Sequence, residues 1–179
     1  MTSLCLALLI AVPAQGPVPG GHSAEDVLVG AWRLLSVSAT SASGVRSDTP
    51  YGPGPTGLLI YTRDGRMSAT ISHAERGLLS VVDRAAAPPS ERAEAFATFL
   101  AYAGRYSVVG DTVVHHVEVA SVQNWVGTDL VRSIVLRGNH LILRNASASL
   151  GGQPQVFELV WERLPDKPRI GAAGRPTTR

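Results

Sequence analysis

Apolar and polar residues alternate in short segments along most of the chain, and glycine-rich turns separate the segments. This two-residue period is that of a β-strand with one buried face. Three turn dipeptides, Asp64-Gly65, Gly110-Asp111 and Gly138-Asn139, predict antiparallel hairpins, because glycine accepts the positive φ that a tight turn needs. The pattern predicts eight strands: Ala31–Ser38, Gly57–Thr62, Met67–Ser72, Arg105–Val109, Thr112–Ala120, Asp129–Leu136, His140–Asn145 and Gln155–Arg163.

Eight antiparallel strands in sequence order favour an all-β fold, an eight-stranded up-and-down β-barrel with one inserted α-helix. Closure into a barrel removes the exposed sheet edges and leaves an interior that can hold one small ligand. A chain of 179 residues has the length of one domain. We predict that this domain spans residues 25–164.

Two segments interrupt the succession of strands. The segment Ala39–Thr56 is rich in Ser, Gly and Pro, and it predicts a long loop at the mouth of the barrel. The segment His73–Gly104 is predicted to contain the helix, with Ser90 as N-cap and Gly104 as its end. One stripe of that helix would then cover an end of the barrel; its residues are Phe96, Phe99, Leu100 and Ala103.

The two ends of the chain lie outside the predicted barrel. Residues 1–24 predict a secretory signal and a Gly/Pro linker, because the apolar run Leu4–Val12 precedes small residues suited to cleavage. The run is too short to span a bilayer. No Lys or Arg precedes Arg33, so the basic start of a typical signal is missing. We expect a secreted or periplasmic protein, with a cytoplasmic one as the alternative, and a disordered basic tail at residues 165–179.

The charge of the chain does not favour nucleic acid as a partner. The formal net charge is +2, and the segment from Leu164 to Arg179 alone carries +3. The rest of the chain is therefore close to neutral, without the basic face that nucleic-acid binding requires.

The first and last predicted strands carry a pair of motifs that resembles the lipocalin signature. Gly30-Ala31-Trp32 opens the first strand, and Trp161-Glu162-Arg163 closes the last. In lipocalins such a tryptophan packs against a late arginine across the floor of the barrel. The resemblance implies that Trp32, Trp161 and Arg163 are structural residues of that floor.

Three longer stretches resemble the bacterial and fungal lipocalin-like domain family, over about Val27 to Leu164. They are "GLLIYTRDGRMSA", "FLAYAGRYSVVGDTVVHHVEV" and "NWVGTDLVR". The resemblance implies a calycin-type barrel with a cavity, and it implies a reaction only weakly. The chain departs from the family at Gln123, where proline is frequent. The chain also lacks the disulfide of animal lipocalins, so the resemblance does not imply the retinoid or odorant ligands of those proteins.

Two adjacent histidines lie within the predicted strand Thr112–Ala120. Successive side chains of a strand point to opposite faces, so His115 and His116 cannot bind one metal ion together. The face that His115 shares with Val113, Val117 and Val119 is the more apolar, and we assign it to the interior. Tyr106 points inward by the same alternation. His115 is then either a core histidine bonded to Tyr106 or a backbone carbonyl, or a group that hydrogen-bonds a ligand or transfers a proton.

Four further residues complete the predicted ligand-binding set. Tyr61 is predicted to place a polar hydroxyl group in the interior of the barrel. Arg132 faces outward in a salt bridge with Glu118 or Asp129, or inward, where it would select anionic ligands. Asn124 and Trp125 form either a turn cap with an aromatic wedge at the rim, or part of the ligand site, in which Trp125 is a stacking wall for the ligand.

Other site chemistries find no support in the sequence, and we predict no cofactor and no metal. The four candidate metal-binding histidines have no ligand spacing on one face, and Cys5 is the only cysteine. No Gly-x-Ser-x-Gly nucleophile motif occurs, and no glycine-rich phosphate loop leads into a helix. The histidines are His73, His115, His116 and His140.

The leading functional hypothesis is binding of a small hydrophobic molecule in the barrel, one that can be acidic if Arg132 faces inward. The first alternative is an isomerase or cyclase that uses the same cavity with His115 as acid or base. The second is a structural or interaction module whose barrel is filled by its own side chains. The sequence identifies neither the ligand nor the oligomeric state.

Overall fold

The computed structural model describes residues 24–145, 148–150 and 152–165. Its helices are α1 (Ala24–Leu28), α2 (Pro89–Ala97) and a short 3-10 helix, Gln123–Trp125. Its strands are β1 (Gly30–Ser41), β2 (Arg46–Ser47), β3 (Thr56–Tyr61), β4 (Arg66–Ser72), β5 (Phe99–Val109), β6 (Thr112–Ala120), β7 (Asp129–Arg137), β8 (His140–Asn145), β9 (Ala148–Leu150) and β10 (Gln153–Arg163).

Eight of these strands form a closed antiparallel barrel, as the sequence predicts. Neighbours pair in the order β1-β3-β4-β5-β6-β7-β8-β10, and β10 returns to pair with β1. This closing seam runs from Trp32 opposite Arg163 to Ser41 opposite Gln155. The short strands β2 and β9 extend the sheet beside β1 and β10 near the mouth.

The floor of the barrel is built around Trp32, which is completely buried. Its indole Nε1 donates a hydrogen bond of 2.9 Å to the carbonyl of Leu28, so α1 closes this end. The guanidinium of Arg163 lies over the Trp32 ring, with its carbon 4.0 Å from the ring centroid. Arg163 also donates to the carbonyls of Val27 and Val29. These contacts tie the end of β10 to the segment that precedes β1.

Two bulges change which residues face the interior. In β1, Leu34 lies opposite Trp161 and Ser36 opposite Val160, so Leu35 is left over and is 43% exposed. In β6, Val117 lies opposite Gly104 and Val119 opposite Ala103, so Glu118 is the extra residue. An extra residue reverses the alternation beyond it.

The bulge in β6 makes one of the interior assignments wrong. Val119 was assigned inward on the strict two-residue period, and it is 61% exposed. Ala120 packs against the core in its place. Val113 and Val117, which lie before the bulge, are buried as assigned.

The inserted helix is shorter than the sequence predicts. Helix α2 ends before Thr98, and its N-cap residue is Pro88 rather than Ser90, which lies within the helix. The predicted end at Gly104 and the predicted helical stripe are wrong, because Phe99 to Gly104 belong to β5. The glycine is required here by a close approach of two strands and does not end a helix.

The predicted loop Ala39–Thr56 is partly regular. Its first three residues continue β1, and Arg46–Ser47 form β2. The rest leads through Tyr51 to β3.

The described residues cover almost none of the predicted secretory signal and basic tail. Within the described ranges, no helix is long and apolar enough to cross a membrane.

Replacing Gly104 with alanine should strongly destabilise the barrel. A Cβ at this position would lie 2.0 Å from the carbonyl oxygen of His116 and 2.9 Å from the amide nitrogen of Glu118. These are backbone atoms of the bulge, so they cannot rotate away. We expect Gly104→Ala to lower the free energy of unfolding by about 3 kcal/mol in urea titrations.

Gly77→Ala is the matched control, since a Cβ there meets no atom within 4 Å. If the Gly104→Ala protein were as stable as the Gly77→Ala protein, the close approach at the bulge would be contradicted.

Candidate functional site

The barrel encloses a cavity of about 330 Å³ between its floor and its mouth. Sites for small molecules typically begin at about 300 Å³. Most of the wall is aliphatic or aromatic, and Arg132 and Asn145 are its polar residues besides the tyrosines. The barrel is therefore not filled by its own side chains. The lining residues are Tyr51, Leu59, Ala69, Ile71, Leu100, Tyr102, Trp125, Leu130, Arg132, Leu143, Asn145, Ala148, Phe157, Leu159 and Trp161.

The predicted ligand-binding residues are divided between the cavity wall, the layer beneath it and the surface. Arg132 and Trp125 line the cavity. Tyr61, Tyr106 and His115 are buried but do not line it. Asn124 is exposed in the 3-10 helix at the mouth, so the structure does not bring it to the cavity. The alternative of a turn position describes Asn124 better.

His115 is completely buried and bonded on both sides of its ring. Its Nε2 lies 2.6 Å from the hydroxyl of Tyr61, and its Nδ1 lies 3.0 Å from the hydroxyl of Tyr102. The predicted partner, Tyr106, instead donates to the carbonyl of Thr62 at 3.0 Å. Burial, with smaller effects of Arg132 and His116, lowers the pKa of His115 to about 3. The imidazole is therefore neutral at physiological pH.

The direction of these hydrogen bonds follows from the burial of Tyr61. Among the described residues, its hydroxyl contacts no hydrogen-bonding group other than His115, so it donates to Nε2. The neutral ring then carries its proton on Nδ1 and donates to Tyr102. The two distances agree with this order, because O–H donors make shorter bonds than N–H donors. The hydroxyl proton of Tyr102 is left free.

Tyr102 links this buried group to the cavity. It is itself part of the cavity wall, and burial raises its pKa, so its phenol is protonated at neutral pH. Tyr102 is absent from the predicted ligand-binding set because the sequence pattern places its segment in the inserted helix. The period of two that runs through Leu100, Tyr102 and Tyr106 was the pattern that could have revealed it.

Arg132 faces the interior. It lines the cavity, and the predicted outward salt bridge is not among the ion pairs of the described residues; both proposed partners pair with other side chains. Glu118 pairs with Arg66 at 2.6 Å and also with Arg105, and Asp129 pairs with His116 at 2.7 Å.

The charge of the Arg132 guanidinium opposes the rise that burial causes in the pKa values of Tyr51 and Tyr102, and it contributes to the low pKa of His115. It therefore gives the cavity a positive potential.

Two further donors lie in the wall without an acceptor. The amide oxygen of Asn145 accepts from the backbone N–H of Phe157, which fixes the orientation of the amide. Within the described part of the chain, neither Asn145 Nδ2 nor Trp161 Nε1 has a hydrogen-bond partner. Both atoms are shielded from solvent, where an unmet hydrogen bond is unfavourable.

Aromatic side chains surround the mouth of the cavity. The ring of Tyr51, from the loop before β3, stacks on His73 at 5.3 Å and on Phe157 at 5.8 Å between centroids. Trp125 meets Tyr102 edge to face at 5.9 Å. Tyr51 was missed from the sequence, and a single aromatic residue within a Ser/Gly/Pro-rich loop was the only indication of it.

No metal-binding cluster is present in the described ranges: no three His, Cys, Asp or Glu side chains are grouped to hold an ion. The side chains that line the cavity offer apolar contact and hydrogen-bond donation.

Comparison with known proteins links this barrel to described relatives. The family model of the lipocalin-like domain matches residues 29–164. A curated relative, the 4'-hydroxy-3'-methoxypropiophenone carrier protein ppsC of Aspergillus oryzae, is 34% identical over 84 residues, which are 42% of this chain and 76% of the relative.

Two solved structures are similar in part. Bovine odorant binding protein, in complex with a selenium-containing odorant, has a TM-score of 0.41 and 18% identity, over 86% of this chain and 80% of its own. An uncharacterized protein from Bacteroides eggerthii has a TM-score of 0.38 and 12% identity, over 76% of this chain and 99% of its own.

The buried neutral state of His115 should make the stability of the protein fall in acid. Its pKa is lowered from 6.5 to about 3, so between these values the unfolded chain binds a proton that the folded protein does not. The stabilisation is complete above pH 6.5 and is lost as the pH falls towards 3, at about 1.4 kcal/mol per pH unit. Urea unfolding at several pH values in this window measures the slope.

The His115→Gln variant should lack that part of the slope, whereas His140→Gln, which leaves His115 in place, should keep it. An unchanged slope in His115→Gln would show that His115 is not the group that titrates on unfolding.

Proposed function

Because the chain belongs to the lipocalin-like domain family, we propose that it binds a small hydrophobic molecule inside its barrel and acts as a carrier for it. The observation that supports this most directly is the cavity of about 330 Å³ with apolar walls. An apolar molecule that leaves water for such a wall gains free energy in proportion to the area it buries. The polar residues of the wall then fix its orientation.

The name of the relative from Aspergillus oryzae also supports a small molecule as the ligand. That protein is named as a carrier of an aromatic ketone with a hydroxyl and a methoxy group. Aromatic side chains at the mouth, above all Tyr51 and Trp125, suit a ligand with a flat ring. We therefore propose a single-ring or fused-ring aromatic molecule as the ligand class.

Arg132 and Tyr102 are the residues that we propose to orient the ligand. They take the role predicted for His115 and Tyr106, because they line the cavity and those two do not. His115 supports the wall from behind through its bond to Tyr102.

The structure does not favour the isomerase or cyclase alternative. An acid or base must come within hydrogen-bond reach of the group that it protonates or deprotonates. Both ring nitrogens of His115 are already bonded to tyrosines, and a pKa of about 3 leaves it a weak base at neutral pH. The carrier function needs no such group.

The binding function can be tested with the neutral fluorescent probe N-phenyl-1-naphthylamine. We expect the wild-type protein to bind it, with a rise in fluorescence on titration. Ala69→Phe should weaken binding at least about tenfold, because Ala69 is buried in the cavity wall and a ring there fills the space.

Val131→Phe is the matched control, since Val131 is 47% exposed on the outer face of the barrel. If Ala69→Phe does not fold, Leu100→Trp tests whether filling the cavity weakens binding, since Leu100 is a half-buried residue of the wall. Wild-type protein that does not bind the probe, or folded cavity variants that bind it unchanged, would refute binding in the barrel.

A further inference from the structure

Taking the proposed binding function as its basis, we infer that the cavity selects ligands that carry an anionic oxygen, and that Arg132 and Asn145 bind this oxygen. The ligand class is then a small aromatic or apolar molecule with a carboxylate or a comparable anionic group at one end.

The first support is the state of Arg132. A guanidinium has five N–H donors and no acceptor. Here Nη1 donates to the backbone carbonyl of Val131, and the other N–H donors have no hydrogen-bond partner with good geometry among the described residues. No acidic side chain in the described ranges forms an ion pair with it. A half-buried charge without a counter-charge is unfavourable, and an anion in the cavity removes that penalty.

The second support is the position of Asn145. It lies directly opposite Arg132 in the pairing of β7 with β8, and both side chains line the cavity. Side chains opposite each other in an antiparallel pair have Cβ atoms about 5 Å apart. The two side chains are therefore neighbours in the cavity wall. The bond from the Phe157 N–H fixes the amide so that Nδ2 is the atom without a partner.

The remaining polar groups of the wall have the same character. Tyr102 keeps a free hydroxyl proton, and Trp161 Nε1 has no acceptor among the described residues. None of the described residues that line the cavity is an Asp or a Glu. A ligand with an ammonium group would find no counter-charge among these lining residues and would meet the charge of Arg132. A purely alkyl end would leave the donors unsatisfied, which is costly in a buried site.

Three naphthalenes of nearly equal shape separate these cases. They are 2-naphthoate, 2-acetylnaphthalene and 2-methylnaphthalene, which present an anionic oxygen, a neutral oxygen and no oxygen. Affinities are measured by displacement of N-phenyl-1-naphthylamine from the wild-type protein. We expect 2-naphthoate to bind about 10- to 100-fold more tightly than 2-methylnaphthalene, with the ketone between them.

Arg132→Met should remove most of this preference. It should lower the affinity for 2-naphthoate by about 10- to 100-fold. The affinity for 2-methylnaphthalene should change by less than about twofold, because the methionine keeps an apolar wall. Arg137→Met is the matched control: it removes one arginine from an exposed position on the same strand, and it should leave the order of the three ligands unchanged.

Asn145→Asp provides a second, independent variant. It keeps an oxygen for the Phe157 N–H and replaces the free Nδ2 donor with an anionic oxygen opposite Arg132. The cavity then contains its own anion, so 2-naphthoate should lose its advantage as it does in Arg132→Met. Thermal unfolding of each variant identifies any that do not fold.

The outcomes distinguish this inference from the binding function beneath it. The anion site is refuted if the wild-type protein binds the three ligands with equal affinity, or if Arg132→Met lowers all three affinities equally. Either result is compatible with the carrier function. Failure of all three ligands and of the neutral probe to bind the wild-type protein overturns the carrier function itself.

Discussion

The stacking of Arg163 on Trp32 joins the last strand of the barrel to the first. The arginine closes the last strand, and the tryptophan opens the first, so their contact lies at the start of the seam between β1 and β10. Without that seam the same strands would form an open sheet with two unpaired edges and no enclosed interior. Gly30 has φ +134 and leaves room for the guanidinium, because a Cβ there would lie 2.8 Å from Arg163 Nη1. The cavity, and every function proposed for it, depends on this closure.

Sequence patterns were sufficient for the barrel because its hairpins are local and its alternation is regular. They failed where the regularity is broken by contacts between distant residues. The bulge at Glu118 exists because Gly104 lets two backbones meet, and no residue near Val119 reveals it. Phe99 to Gly104 has an apolar spacing that also fits a helix, so the segment was ambiguous until β4 and β6 supplied its pairing partners.

The candidate site was harder to predict than the fold for a related reason. The face of β7 that carries Arg132 also carries Leu130 and Ile134, and the other face is equally mixed, so the alternation could not settle the direction of the arginine. The position of Arg132 in the cavity wall settles it. The adjacent histidines show the same division. His115 supports the interior through two tyrosines, while His116 bonds Asp129 and Ser107 on the outer face.

The stack of Tyr51 between His73 and Phe157 would affect the rates at which the proposed ligand enters and leaves the cavity more than its affinity. A molecule that enters or leaves past this ring must wait for the three aromatic side chains to separate. The residence time of a bound molecule then depends on how often the loop before β3 lifts away, while the wall residues beneath set how tightly it is held. If the cavity holds a ligand as we propose, this stack would slow its release without changing the wall contacts that hold it.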